Sequence, residues 1–182
     1  MNDQKVRRLT ELGIALALAT ILNFVRIYQL PQGGSVSLEM IPIFFIALRW
    51  GLKEGITLGG MYGILQLILG AKIFYPLQAI LDYPVAFGSL GLAGIIHNWI
   101  DKNNLKENGI LIFSSVILAG GFRLLIHIIS GVIFFGEYTP KGQNVWLYSL
   151  GYNASYMLPE ILITIIVMIF LVKSSSSFIA TK

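Results

Sequence analysis

Seven carboxylate and aromatic side chains in the sequence have the chemistry to bind a flat, cationic ligand that donates hydrogen bonds. They are Glu39, Asp82, Tyr83, Glu137, Tyr138, Trp146 and Tyr148. An aromatic face attracts a cation, and a carboxylate both neutralises positive charge and accepts hydrogen bonds. For Tyr138 and Trp146, and also for Tyr75, a second interpretation stays open, because Tyr and Trp form the interfacial belts of membrane proteins.

Asp82 is the member of this set that is hardest to explain by position at an interface. It lies inside a long apolar segment, and an ionised carboxylate in lipid costs roughly 2.5 kcal/mol or more. We therefore expect Asp82 to face protein or a water-filled cavity. Arg123 lies deep in another apolar segment, so it is predicted to pair with Asp82 or Glu160.

His127 follows Arg123 by four residues, which places both on one helical face, and Gly131 and Phe135 continue that face. At the helical rise, His127 lies about 13 Å below the end of this segment. That depth suits a residue at the bottom of a pocket. The alternative, that the imidazole is packed and hydrogen-bonded to a neighbouring helix, stays open.

The last apolar segment carries a polar face. Its members are Tyr148, Tyr152, Tyr156 and Glu160 at four-residue intervals, with Ser149 and Asn153 on an adjacent line. A polar stripe of this kind does not face lipid, so the pattern predicts that it is buried between helices. Interhelical hydrogen bonding explains Ser149, Tyr152 and Tyr156. Tyr148 and Asn153 are near enough to the segment's start to line an open cavity.

The composition shows which elements hold these residues. The chain has 182 residues, of which 55% are hydrophobic and only 12% charged, and its mean hydropathy is +0.75. A soluble domain has about twice that charged fraction, so the sequence predicts an all-α integral membrane protein. The chain lacks cysteine, which excludes disulfides and thiolate metal sites, and we expect no cofactor. Its net charge of +4 is scattered between apolar segments, so no nucleic-acid partner is expected.

Six apolar segments approach the length that a helix needs to cross the bilayer, about 20 residues. We predict a single transmembrane domain, 1–182, that forms a bundle of six helices, the first of them retained instead of cleaved as a signal peptide. Between the fifth and sixth helices, and after the first and third, we expect loops rich in Pro, Gly or charge. The predicted helices span approximately 9–30, 38–50, 51–70, 78–100, 110–135 and 147–172.

The distribution of Lys and Arg predicts the orientation, because cytoplasmic loops carry the excess. Nine basic residues fall on one side: Lys5, Arg7, Arg8, Arg49, Lys53, Lys102, Lys106, Lys173 and Lys182. Three fall on the other: Arg26, Lys72 and Lys141. Both termini are therefore predicted to be cytoplasmic, and the loops after helices one, three and five to face outward.

Motifs that would indicate an enzyme are missing from the sequence. There is no Gly-rich phosphate cradle, no His-Glu-x-x-His and no Gly-x-Ser-x-Gly, and His97 and His127 fall on different segments. We expect no catalysis, and any energy that the protein's function requires to come from elsewhere. Helix one carries two interleaved small-residue patterns, Gly13 with Ala17 and Ala15 with Ala19, which allow close packing either inside the bundle or against another membrane protein.

Taken together, four segments resemble the thiamine-specific substrate-binding (S) components of energy-coupling-factor (ECF) vitamin transporters, the ThiT family. The resemblance covers nearly the whole chain. The segments are Leu9–Ala15, Gln78–Ala86, His127–Phe135 and Tyr148–Asn153. The resemblance implies a protein of the bacterial cell membrane that captures thiamine near its outer surface and works with an ECF transmembrane coupling subunit and two ATPase subunits.

The resemblance also implies roles for individual residues. Asp82 would bind the aminopyrimidine, with His127 and Asn153 as polar neighbours of the ligand. Tyr83, Phe135 and Tyr148 would form the aromatic walls. The contact with the coupling subunit falls best on Gly13 and Ala17, with Ala15 and Ala19 beside them.

The sequence departs from relatives that carry stacking tryptophans. Phe135 stands where some have tryptophan, and the loop Pro31 to Ser37 has none. Stacking is then either weaker or supplied by another residue, such as Trp146 or Tyr75. We expect Trp146 to lie near the ligand and the loop to act as a gate. Three alternatives stay open: the same architecture for another vitamin or a thiamine precursor, a stand-alone carrier, and a membrane enzyme that uses Asp82, His127 and Glu160.

Overall fold

Helices make up most of the computed structural model. It describes residues 3–31, 33–100 and 105–174, and for 105–107 it describes the backbone alone. Among the described residues, three helices are long and apolar enough to cross a membrane, and α2 is a shorter apolar helix. That all six cross it with both termini in the cytoplasm stays a prediction. Lys102 and Lys182, which entered the charge count, and the side chain of Lys106 lie outside the described residues. The helices are α1 (Asp3–Phe24), α2 (Met40–Trp50), α3 (Leu52–Ile68), α4 (Pro76–Trp99), α5 (Leu105–Phe134) and α6 (Val145–Ser174).

Helix α1 begins and ends earlier than the hydrophobic pattern predicts. It ends at Phe24, and the next residues form β1 (Tyr28–Gln29), which pairs with β2 (Ser35–Val36) as an antiparallel ribbon. The prediction that helix one runs to Leu30 is therefore wrong, because backbone pairing across the ribbon satisfies the groups that the helix would have bonded. Gly33 and Gly34 in the turn have φ angles of 119° and 83°, which glycine adopts without strain.

Helix α4 is irregular along most of its length. It starts with Pro76, whose missing N–H costs nothing at a first helical position. A single π turn follows at Leu81–Val85, and the helix continues as α-helix over Ala86–Ser89 and as 3₁₀-helix over Leu90–Trp99. The π turn contains Asp82 and Tyr83, so this irregularity lies at the residues that the sequence singles out.

Helices α3 and α4 pack with their backbones close together. Gly55, Gly59 and Gly63 recur every four residues on α3, and a Cβ added at any of them would collide with backbone atoms of α4. Small residues at this spacing allow such an approach. The contact holds the end of α3 beside the π turn of α4.

Helix α2 lies inside the bundle, and most of its side chains are buried. At its end, Arg49 and Trp50 both donate hydrogen bonds to Glu11 of α1, with N···O distances of 2.5 and 2.7 Å. Arg8 pairs with Glu54 of α3 at 2.6 Å. This polar cluster ties α1, α2 and α3 together. At the helical rise, Glu11 lies about 20 Å from Phe24, where α1 ends beside the cavity.

Candidate functional site

A cavity of about 220 Å³ opens at the end of the bundle where α1 and α3 end and α4 begins. Five helices contribute to its wall, and so do Glu39, directly before α2, and the turn of the ribbon. The structure brings together all six residues that the sequence suggested for ligand binding, and their contact with a ligand stays a prediction. They are Asp82, Tyr83, His127, Phe135, Tyr148 and Asn153.

The carboxylate of Asp82 is held from two sides. Its Oδ2 accepts a hydrogen bond from Gln78 Nε2, one turn earlier, at 2.6 Å, and its Oδ1 lies 3.2 Å from His127 Nδ1. An ionised carboxylate only accepts hydrogen bonds, so Nδ1 of His127 carries the hydrogen in this arrangement. The other ring nitrogen, Nε2, is buried and has no partner among the described protein atoms. Its hydrogen-bonding capacity is therefore unused in this arrangement.

A buried ionic network forms the floor of the cavity. Arg123 lies 3.4 Å from a carboxylate oxygen of Glu39 and 3.2 Å from one of Glu160, and all three are at most 5% exposed. Arg123 therefore pairs with Glu160, which is one of its two expected partners. It also pairs with Glu39, and it does not pair with Asp82. The guanidinium also lies 4.1 Å from the ring centroid of Phe87. Two carboxylates thus face one guanidinium, and Glu39 is the one that also lines the cavity.

Further hydrogen bonds connect this network to neighbouring elements. Tyr62 of α3 donates to Glu39 at 2.6 Å and accepts from Gln66. Ser37, between the ribbon and α2, donates to Glu160 at 3.2 Å. Buried charges are tolerated where they are paired and bonded in this way. Glu39 lines the cavity, whereas Glu160 lies behind Arg123.

Aromatic rings line the wall above the floor. Phe135 contacts Phe74 edge to face at 5.3 Å between centroids and lies 6.2 Å from Tyr138. On α6, Tyr148, Tyr152 and Tyr156 follow one another at 6.4 Å. All six of these residues line the cavity, so Phe74, Tyr138, Tyr152 and Tyr156 add to the aromatic walls that the sequence suggested.

Trp146 does not take part in this wall, contrary to the expectation that it lies near the ligand. Its side chain is 56% exposed and does not line the cavity. Two residues along a helix turn the side chain by about 200°, so Tyr148 points inward while Trp146 points away. Tyr75 is also absent from the lining and instead lies 5.5 Å from the ring of Phe134. The expected stacking by Trp146 or Tyr75 is therefore wrong.

Helix α6 is fixed against α5 by polar contacts. Ser149 donates to the carbonyl of Ile128 at 2.9 Å, and Asn153 Nδ2 donates to the carbonyl of Ser149 at 2.9 Å and to that of His127 at 3.3 Å. Tyr156 donates to Asn153 Oδ1 at 2.8 Å. Ser149 thus bonds between helices as expected, whereas Tyr156 bonds within its own helix.

The rim of the cavity joins the ribbon to the helices. Tyr152 donates to the carbonyl of Gly33 at 2.8 Å, and the ammonium group of Lys72 donates to that of Pro31 at 2.6 Å. The backbone N–H of Lys72 also donates to the hydroxyl of Tyr83 at 3.1 Å. The turn of the ribbon therefore closes one side of the cavity.

Several lining residues were not found from the sequence. Gln66 is an amide inside an apolar segment, a signal comparable to that of Asp82, whereas Gln78 is the first residue of its segment. Ser130 and Phe87 gave no such signal, because serine and phenylalanine are ordinary in an apolar helix. Glu137, which belonged to the initial set, is exposed and does not line the cavity.

The small residues of α1 divide between two faces. Ala15 and Ala19 are buried, 6% and 0% exposed, and pack inside the protein. Gly13 and Ala17 are exposed, and a Cβ added at Gly13 would meet nothing within 4 Å. Only the second pair is available to another protein.

Among the described residues, no group of His, Asp and Glu has the arrangement of a metal site.

Comparisons with known proteins agree with one another. A family model described as Thiamine transporter protein (Thia_YuaJ) matches residues 9–180. The chain is 44% identical over 177 residues to the thiamine transporter ThiT of Bacillus subtilis (strain 168), with 92% of each chain covered. It is 36% identical over 166 residues to ThiT of Lacticaseibacillus paracasei, covering 86% of this chain and 82% of the relative. A solved structure of ThiT from Listeria monocytogenes is similar with a TM-score of 0.89 and 29% identity, covering 97% of this chain and 99% of that one.

Proposed function

Because the chain belongs to the thiamine transporter protein family, we propose that it captures thiamine in the cavity between its helices. Its relatives are named transporters, which makes it a transport protein and not an enzyme. The cavity's polar and aromatic lining suits the two halves of thiamine, an aminopyrimidine that donates hydrogen bonds and a cationic thiazolium ring.

The observation that carries this proposal is the pairing of Asp82 with His127 at the cavity wall. The exocyclic amine of the aminopyrimidine donates to the carboxylate of Asp82, and the ring of His127, which contacts that carboxylate through Nδ1, lies beside the same half of the ligand. A hydrogen bond to a charged group is worth about 1.5–3 kcal/mol, and more where water is excluded. Tyr83 and Asn153 lie beside this half of the ligand.

The cationic half of thiamine then faces Phe135 and Tyr148, and the carboxylate of Glu39 attracts it from the floor of the cavity. Aromatic faces contribute about 0.5–2 kcal/mol to binding a cation, depending on how far it is desolvated. Phe74 and Tyr138 flank Phe135, so their rings compensate for the tryptophans that some relatives have.

Isothermal titration calorimetry of the detergent-purified protein tests this proposal. Thiamine is expected to bind at a single site, and Asp82→Asn to weaken its affinity at least about 10- to 100-fold. Glu137→Gln is the matched control, because it removes an exposed carboxylate that does not line the cavity. No binding of thiamine to the parent protein, or equal affinity of Asp82→Asn, would contradict the assignment. A bare aminopyrimidine that competes as well as thiamine would indicate a precursor as the ligand.

We further propose that the chain is the S component of an ECF transporter in a bacterial cell membrane. The whole chain would be one transmembrane domain of six spans with both termini cytoplasmic. Thiamine would enter from the outer side, where the cavity opens, and a transmembrane coupling subunit with two ATPase subunits would drive its delivery. The exposed pair Gly13 and Ala17 would contact the coupling subunit, since small residues allow close approach.

A leucine at the proposed contact tests the coupling role. Ala17→Leu is expected to abolish thiamine uptake by cells while calorimetric affinity stays unchanged. Gly121→Leu is the control, because Gly121 is also exposed on a helix and its added side chain meets open space. Thiamine uptake by the chain alone in vesicles, without ATP or other subunits, would contradict the S-component proposal and favour a stand-alone carrier.

A further inference from the structure

Four residues of α4 line the cavity although a regular helix would not present them together. They are Gln78, Asp82, Tyr83 and Phe87. In an α-helix each residue turns by about 100°, so Gln78 and Phe87, nine residues apart, would lie on opposite faces. The π turn between them absorbs one additional residue, which removes about 100° from this rotation. It therefore turns Phe87 toward the face that holds Gln78 and Asp82.

The cause of the π turn lies in Pro84. Proline has no N–H to donate, and its ring clashes with the carbonyl four residues earlier, so a regular helix is disfavoured there. The helix instead closes the wider ring, in which the N–H of Ala86 donates to the carbonyl of Leu81, five residues earlier. Such turns occur often at functional sites.

The wide turn needs space on the side of α3, and Gly63 provides it. A Cβ added at Gly63 would lie 2.5 Å from the backbone carbon of Tyr83 and from the backbone nitrogen and Cα of Pro84. These are backbone atoms, so a rotamer change cannot relieve the collision. The turn that carries Asp82 and Tyr83 would have to move away from α3.

We propose that Gly63 is a positioning residue for ligand binding: its missing side chain seats the π turn at Pro84 so that Asp82, Tyr83 and Phe87 face one cavity. Gly63 itself does not line the cavity, and it acts through the turn. This inference rests on the proposal that the cavity binds thiamine. It assigns part of the binding specificity to the contact between α3 and α4, outside the shell of residues that touch the ligand.

The variant Gly63→Ala tests the inference by calorimetry with thiamine. Its affinity is expected to fall between about 10- and 100-fold, the range expected when a hydrogen bond to a charged group is lost. The matched control is Gly55→Ala, two turns away in the same row. An added Cβ there would lie 2.8 Å from the backbone of Gly91 and 2.6 Å from Ala47, and neither of these residues lines the cavity. Gly55→Ala is expected to lower the unfolding temperature and leave affinity within about threefold, since such overpacking acts on stability.

A double-mutant cycle separates positioning from a general loss of structure. In the background of Asp82→Asn, Gly63→Ala is expected to cause little further loss of affinity, because both changes remove the same interaction. Additive effects of the two substitutions would overturn the inference. An unchanged affinity of Gly63→Ala would also overturn the inference, provided that the parent protein binds thiamine and that Asp82→Asn lowers this affinity. Failure of the parent itself to bind thiamine would instead refute the proposed function.

If Gly63→Ala does not fold, Pro84→Ala tests the same turn from its other side. Alanine restores an N–H that can close a regular helical turn, so the protein is expected to stay folded while its thiamine affinity falls at least about 10-fold, on the same grounds. A thermal unfolding curve establishes that the variant is folded before titration. A folded Pro84→Ala protein with the parent's affinity would show that the π turn does not position the site.

Discussion

The electrostatic contribution of Glu39, on the floor of the cavity, can be tested by removing its charge. Glu39→Gln keeps the shape of the side chain and its position next to Tyr62 and Arg123, but removes one unit of charge. For a cation 6 to 10 Å away and an effective dielectric constant of about 20, Coulomb's law gives about 1.7 to 2.8 kcal/mol. The affinity for thiamine is therefore expected to fall roughly 15- to 100-fold.

The control for this prediction is a change of ligand. An analogue in which a neutral thiophene replaces the thiazolium ring has nearly the same shape but no charge. Its affinity is expected to stay within about threefold between the parent and Glu39→Gln, because only the Coulomb term is removed. Isothermal titration calorimetry of both ligands on both proteins gives all four affinities. If the two ligands lose affinity equally, the effect is structural and the charge argument is refuted.

Three further predictions follow from the geometry. Arg123→Met leaves Glu39 and Glu160 buried without their guanidinium, so it is expected to destabilise the protein by about 3–5 kcal/mol and lower the unfolding temperature; an unchanged temperature would contradict the network's role. Tyr152→Phe removes the hydrogen bond to Gly33 and is expected to speed dissociation of radiolabelled thiamine about fivefold, whereas an unchanged rate would show that the ribbon does not retain the ligand. Because Trp146 does not line the cavity, thiamine is expected to leave tryptophan emission nearly unchanged, and saturable quenching would contradict that placement.

Polar residues inside apolar segments were the most informative part of the sequence. Asp82, His127 and Asn153 were singled out because such side chains cannot face lipid without a large cost, and all three line the cavity. Gln66 carried the same signal. The partner of Arg123 was narrowed to two residues, because a buried guanidinium needs a carboxylate, but Glu39 could not be found from spacing along a helix.

Contacts between residues far apart in the sequence, which local patterns do not reveal, also explain the errors at the ends of helices. Hydrophobicity continues past Phe24, so the pattern extends helix one to Leu30, whereas the backbone there pairs with residues beyond Gly34. Pairing of this kind depends on a turn and on a surface for it to pack against. Gly34 lies against the ring of Tyr156, a contact between residues far apart in the sequence.

Composition and local chemistry thus determined that the chain is apolar and helical, and which side chains need a protected environment, because both follow from the cost of placing polar groups in lipid. The tertiary structure decided which face each residue occupies. It turned Trp146 outward, divided Ala15 and Ala19 from Gly13 and Ala17, and brought Phe87 to the side of Asp82. The physical reason is that helical phase depends on every turn before it, and a single π turn, made possible by Gly63 on another helix, shifts that phase by about 100°.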